Sequence, residues 1–364
     1  MKRRDFIKII GSGAFIIPIA PTFALQQSNY GQWKSYRLSY QVSLPETGKS
    51  ARLWLPLPDT NDSDFQFTQG SNWSGNAEKA GFSSFSGNNF PVFTAEWKGS
   101  GPRQITVSSI IKTSNHAINL DHYTASKAVS IPNHAKQFLT PTHLIPVKGI
   151  VHETASVLLK NKNTASTLEK ARTIYDWVID NAQHDELVRG RGKGDIKSML
   201  ESKTLTGKCV DINSLFVGLS RAAGIPARNR YGIRIDESRL YPGLGKLSDI
   251  SQSQHCRAEF YLNNLGWIPV DPADVCKVSK LENLPVNHPS ITALKEKLFG
   301  AWEMNWASFN HIEDVQLATS IIGKLPFFMF PHAEIDGKTL DNLDPEKFSY
   351  KIISSELIGT GAKL

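Results

Sequence analysis

Apolar and polar side chains alternate over residues 36–44, "YRLSYQVSL", with Tyr36, Leu38, Tyr40, Val42 and Leu44 on one side and Arg37, Ser39, Gln41 and Ser43 on the other. A period of two belongs to a strand with one face in a core. "ARLWLPLP" from Ala51 and "RQITVSSIIKT" from Arg103 repeat the pattern, separated by Gly, Asn, Ser and Pro clusters. Residues 30–130 are therefore expected to form an N-terminal antiparallel β module of sandwich type.

Near residue 145 the period changes. "STLEKARTIYDWVIDNA" opens with Ser166 and Glu169 at capping-box spacing and carries Leu168, Ala171, Ile174, Trp177 and Val178 as an apolar stripe. "TGKCVDINSLFVGLSRAAGIPAR" follows, with Ile212, Leu215, Phe216, Leu219 and Ala223 at helical spacing until Gly224-Ile225-Pro226 stops the run. Then "RNRYGIRI", "HCRAEFYL" and "GWIPVDP" read as strands, the last two joined through "NNLG" as a hairpin. A helix followed by an antiparallel sheet makes 145–325 an α+β core. Residues 326–364 form a C-terminal β segment around "FSYKIIS", which could join the core sheet or return to the N-terminal module.

The chain has 364 residues, a formal charge of +7, and a composition ordinary for a globular protein. Part of the charge lies in "MKRRDFIKIIGSGAFIIPIAPTFALQQ". There Arg3 and Arg4 precede an apolar run from Ile9 to Ala20 and a small-residue site ending at Ala24. This resembles a twin-arginine export leader over residues 1–24, too short and too rich in Gly and Pro for a comfortable span. The mature chain is then expected outside the cytoplasm, in the periplasm or another extracytoplasmic space, soluble and only mildly basic. That gives no case for nucleic acid as a partner. "KNKNT" and "VRGRGKGDIK" read as solvated surface rather than a phosphate track.

Three cysteines in an oxidising compartment leave at least one unpaired. Cys209 opens its helix, where free N–H groups and the helix dipole favour a thiolate and can hold an oxyanion. A thiol nucleophile needs a base and the base an orienting group. His255 and Asp271 flank the "NNLG" turn and are expected on adjacent strands at the same end of the sheet. Nothing points to a metal or cofactor. His134, His143 and His152 are spaced for no common face, HExxH and CxxC are absent, and the "GSG" near residue 100 lacks the lysine and helix of a phosphate loop. No GxSxG elbow supports serine chemistry.

"GKCVDINSLFVGLSRAAGIPAR" and "HCRAEFYLNNLGWIPVDPADV" together resemble the transglutaminase-like superfamily of cysteine acyl-transfer enzymes. The resemblance is strongest over residues 195–280. It implies a papain-like helix-on-sheet core with Cys209 as nucleophile, His255 as general base and acid, and Asp271 as orienting carboxylate. It further implies a protein or peptide substrate, conceivably in the cell envelope, and hydrolysis or amine transfer through the same triad, hydrolysis being narrowly preferred. The alternative is a non-catalytic periplasmic binding or assembly module on the same fold.

This chain departs from the family where the histidine is followed by Cys256-Arg257 rather than Ala-Trp. By strand parity Cys256 faces away from His255 and is expected to pack. A Cys256–Cys276 disulfide is one arrangement the spacing allows. Asp211 could support the helix dipole or hydrogen-bond in the site. Arg228 and Arg257 could bind a substrate carboxylate, but the preferred expectation is that they pair with Glu259 and Asp236, and that Glu259 shares the His255 face.

Overall fold

Two five-stranded antiparallel sheets account for the alternating first third of the chain. The computed structural model describes residues 32–358, apart from 61–62, 85–89, 122, 124–129 and 163–164. The expected export leader, with Arg3 and Arg4, lies outside the described residues. Strands β1 (Lys34–Leu44), β2 (Ser50–Pro56), β3 (Gln66–Gly75), β4 (Lys79–Ser84), β5 (Pro91–Lys98) and β6 (Arg103–Thr113) supply six of the strands. β1, β6 and β3 are neighbours in one sheet, and β2, β5 and β4 in the other. The inward row of β1, from Tyr36 to Leu44, is buried against Leu53, Leu55 and Phe93 of the facing sheet. The Tyr40 hydroxyl ties the layers by donating to the Pro56 carbonyl at 2.8 Å.

The α+β core follows the change of period. Helices α1 (Ile150–Leu158), α2 (Thr167–Asn181), α3 (Ile196–Ser202) and α4 (Cys209–Ala222) come first. The Ser166–Glu169 capping box opens α2 as its spacing predicts. Strands β7 (Ala227–Arg234), β8 (Gln254–Leu262), β9 (Gly266–Val270) and β10 (Trp306–Asn310) build a sheet in the order β9-β8-β7-β10, all antiparallel. Helix α4 lies on this sheet. Its residues 209–221 are all buried, and Phe216 meets Phe260 of β8 edge to face at 6.2 Å. Helices α5 (Pro272–Leu281) and α6 (Pro289–Lys297) follow β9. The α+β class and the helix-on-sheet core are as the sequence led us to expect.

The tail answers the question left open by its sequence. Strands β11 (His332–Ile335), β12 (Lys338–Thr339) and β13 (Ser349–Glu356) return to the N-terminal sheets. β13 pairs with β1, and β11 pairs with β2. Short segment Ser248–Asp249 from the core also pairs with β13, so one sheet joins both ends of the chain and touches the core. Among the described residues no helix is long and apolar enough to cross a membrane.

Candidate active site

Cys209 is the first residue of α4, held there by the acid two positions later. Asp211 accepts from the Lys208 N–H at 3.0 Å and, through its other oxygen, from the Lys193 and Gly194 N–H groups at 2.9 Å each. Val210 N–H donates to the Arg191 carbonyl at 3.0 Å. The stretch "RGRGKG" is thus strapped over the helix start. A Cβ at Gly192, whose φ is +93°, would lie 1.8 Å from an Asp211 oxygen, so the strap needs glycine there. This stretch keeps Arg189 and Lys193 at the solvated surface, as expected, and also borders the site. Its arginines are on one wall of a cavity of about 550 Å³ that opens in front of Cys209 and His255.

His255 lies on β8, and its Nε2 is 2.8 Å from Asp271 Oδ2. Asp271 is one residue past β9 and serves as N-cap of α5, accepting from the Asp274 N–H at 3.2 Å. The register pairs Ala258 with Val270, so His255 and Asp271 meet diagonally rather than directly across the ladder. With Nε2 turned to the carboxylate, the same ring also acts on the Cys209 sulfur by charge and hydrogen bond. Two indoles brace these strands from behind, Trp306 Nε1 donating to the His255 carbonyl at 2.9 Å and Trp302 Nε1 to the Val270 carbonyl at 3.0 Å.

A second carboxylate enters the group. Asp274 Oδ1 is 3.5 Å from His255 Nε2 and 2.5 Å from a buried Arg234 nitrogen. Burial works against its charge, but Arg234, His255 and Arg257 hold its carboxyl well below the usual range. For Asp271, burial and the neighbouring Asp274 charge together raise the carboxyl, with His255 opposing them. The His255, Asp271 and Asp274 donor atoms lie within 4.8 Å of one another. Arg234 and the Arg257 Nε, 3.6 Å from Asp271, already supply positive charge there, and we do not read the group as a metal site.

Burial would raise the Cys209 thiol, yet it falls well below the ordinary value. The Cys256 thiol hydrogen-bonds to it, His255 acts on it by charge and hydrogen bond, and Arg191 adds positive charge. His255 shifts the other way: burial and Arg234 lower it, but Asp274, Asp271 and Cys209 carry it above its usual value. A thiolate facing an imidazolium is the state these shifts favour.

Cys256 corrects a second expectation. It does lie on the β8 face opposite His255, but that face is the one α4 covers, so its sulfur meets Cys209. Asn213, one turn into α4, donates to the Cys256 carbonyl at 2.9 Å and to Asp271 Oδ1 at 3.3 Å. All three cysteines are free, and the Cys276 sulfur sits 4.0 Å from the Ile179 carbonyl, so the Cys256–Cys276 disulfide is not formed.

Arg228 pairs with Glu259 at 3.0 Å as expected and stacks over Trp267 at 3.9 Å. Arg257 does not follow suit. It backs Asp271, stacks on Trp306 at 4.9 Å and donates to the Glu303 carbonyl at 2.8 Å, while Asp236 binds Lys34 and Tyr36 instead. Glu259 belongs to a separate buried network with Arg228 and Arg230 and is not part of the cavity wall. Asn213, Arg234 and Asp274 went unmarked in the sequence. The signal available for Asn213 was a polar residue four positions after Cys209 on a wholly apolar helix face.

Against known families, residues 153–272 match the transglutaminase-like superfamily core. A Haemophilus influenzae protein without an assigned function is 34% identical over 336 residues, covering 88% of this chain and 90% of that one. The chain belongs to the transglutaminase-like superfamily. Among solved structures, a candidate cysteine protease from Cytophaga hutchinsonii shares the fold with a TM-score of 0.55 at 12% identity, over 90% of this chain and 92% of the other. The periplasmic domain of TgpA from Pseudomonas aeruginosa matches more loosely, with a TM-score of 0.33 and 15% identity over 71% of this chain and 92% of its own.

Proposed function

We propose that this superfamily member is an exported thiol enzyme that opens amide bonds in peptide or protein substrates. Cys209 is its nucleophile, His255 its general base and acid, and Asp271 the carboxylate that orients the ring. The supporting observation is a depressed thiol and a raised imidazole in one buried group, with the imidazole bound to Asp271 at 2.8 Å, at the end of an open cavity.

The Cys209 thiolate attacks the amide carbonyl carbon. Val210 N–H is taken up by Arg191, which leaves the Cys209 N–H as the helix-terminal donor for the oxyanion. Imidazolium His255 gives its proton to the departing amine as the C–N bond breaks, leaving a thioester and a neutral ring. Asp271 holds that ring through both proton transfers. A water then loses a proton to His255 and adds to the thioester, and the thiolate leaves with the carboxylic acid released. Glu186, Arg189 and Lys246 on the cavity wall are solvent-exposed, so water reaches the acyl group; this favours hydrolysis over transfer to an amine.

Iodoacetamide labelling of Cys209, read by mass spectrometry on the peptide that carries it, tests the assignment. Labelling should run well ahead of a free thiol at pH 6 and collapse toward it in His255→Ala. Slow labelling indifferent to His255 would refute the enzyme and favour a binding module.

A further inference from the structure

The cavity before Cys209 is far more positive than the chain that surrounds it. Arg189, Arg191, Lys208, Arg234, Lys246 and Lys277 line it against two acids, Glu186 and Asp274. Arg234 is answered by Asp274 at 2.5 Å, Lys208 by Glu186 at 3.4 Å, and Arg189 reaches Asp341 on the tail at 2.5 Å. Among the described residues, Arg191, Lys246 and Lys277 form no ion pair.

Lys277 is the informative one. It stands one turn after Asp274 on α5, half-buried, with its ammonium donating to the Gly243 carbonyl at 2.8 Å. Burial lowers its pKa first, and the Arg234 and Arg191 charges press in the same direction against the opposing pull of Asp274 and Glu186. Arg191 also acts on the Cys209 sulfur, so the surplus charge is centred between α5 and the nucleophile. Like charges gathered in a partly desolvated cleft repel one another, and the same cleft concentrates a matching anion. Its volume, about 550 Å³, suits a short stretch of peptide.

We propose that the cleft recognises a carboxylate on the substrate, beside the amide that Cys209 attacks, with Lys277 and Arg191 as its receptors. The proposal rests on the thiol-enzyme reading above and adds the substrate class to it. In a peptide that carboxylate is either an acidic side chain or the C-terminus.

The test compares alkylation of Cys209 by iodoacetate, an anion, with alkylation by neutral iodoacetamide, each scaled to glutathione. Both reagents need the thiolate, so their ratio isolates the charge of the cleft from the reactivity of the sulfur. The scaled ratio should exceed that of glutathione by about tenfold at low salt and fall toward it at high salt. Lys277→Gln should cut the ratio several-fold and Lys277→Arg should keep it, with the iodoacetamide rate reporting a folded site in each. Protection against iodoacetamide by short peptides then names the source. One peptide carries a glutamate and an amidated end, another a neutral sequence with a free C-terminus, and a third neither. A ratio equal to that of glutathione with fast, His255-dependent iodoacetamide labelling would overturn the carboxylate proposal and leave the enzyme reading standing, as would equal protection by the third peptide. Labelling no faster than a free thiol and indifferent to His255 would remove both.

Discussion

Replacing Cys256 by alanine removes the thiol that lowers the Cys209 thiol by hydrogen bonding to it, together with a sulfur that accepts from Asn213 Nδ2 at 3.7 Å. The side chain is fully buried, so truncation opens a void of about one sulfur atom and should leave the fold intact. Hydrogen bonds to a charged acceptor are worth about 1.5–3 kcal/mol, and a weak S–H donor belongs at or below the lower end. A loss of about 1.4 kcal/mol in thiolate stabilisation is tenfold in its population. The sign follows from the donor: it stabilises the charged form, so its removal raises the Cys209 thiol. Iodoacetamide labelling of Cys209 should therefore drop about tenfold on the acid limb of its pH profile, and hardly at all on the alkaline plateau, where the thiolate is complete. Cys256→Ser keeps a donor and should recover most of the acid limb. An acid limb that does not move in Cys256→Ala would show that the neighbouring thiol contributes nothing to the nucleophile, and that the depressed thiol rests on His255 and Arg191.

Three further outcomes are expected, two from the site's geometry and one from the leader read in the sequence. Asp271→Asn can still accept from the Asp274 N–H but no longer balances an imidazolium, so turnover on a peptide substrate should fall about 10²–10⁴-fold, with Cys209→Ala lower still in the same assay. Asp274→Asn strands the buried Arg234 guanidinium, and urea unfolding should report a loss of about 3–5 kcal/mol; a change within a few tenths would mean that Arg234 finds another partner. Replacing Arg3 and Arg4 together by Lys should leave a cytoplasmic precursor, whereas fractionation should place the natural protein outside and shortened by its leader.

Legibility followed periodicity. Where one face of an element is buried, apolar spacing carries the assignment, as along β1, β6 and α4. It failed where elements are polar on both sides or lack an alternating run. β3 is built largely from Gly, Ser, Gln and Asn and reads as a linker, yet it completes the sheet through its ladder to β6. The strand reading of "GWIPVDP" runs on through its Asp-Pro, although Asp-Pro is a helix start in which Asp271 caps and Pro272 fills the first turn. Nor could the order of strands say that β13 crosses back to β1. That pairing joins residues at opposite ends of the chain, and only the matching alternation of "FSYKIIS" hinted at a strand.

Within the site, proximity depends on which layer covers which face, and a single strand's parity does not carry that information. Cys256 illustrates the point. Its alternation relative to His255 was read correctly, but "away from His255" was equated with "away from the chemistry". The Cys209 sulfur is acted on by both the His255 imidazole and the thiol of the next residue. The same geometry places Asn213 over Asp271 and makes α5, whose first turn carries Asp274, part of the imidazole's surroundings. Three elements that bury polar residues at this junction need those residues to satisfy one another, since an unpaired group there would cost a few kcal/mol. The buried polar residues at the junction therefore act as one network, and a change at Asn213, Asp274 or Cys256 should reach the nucleophile although none of them is required to touch the substrate.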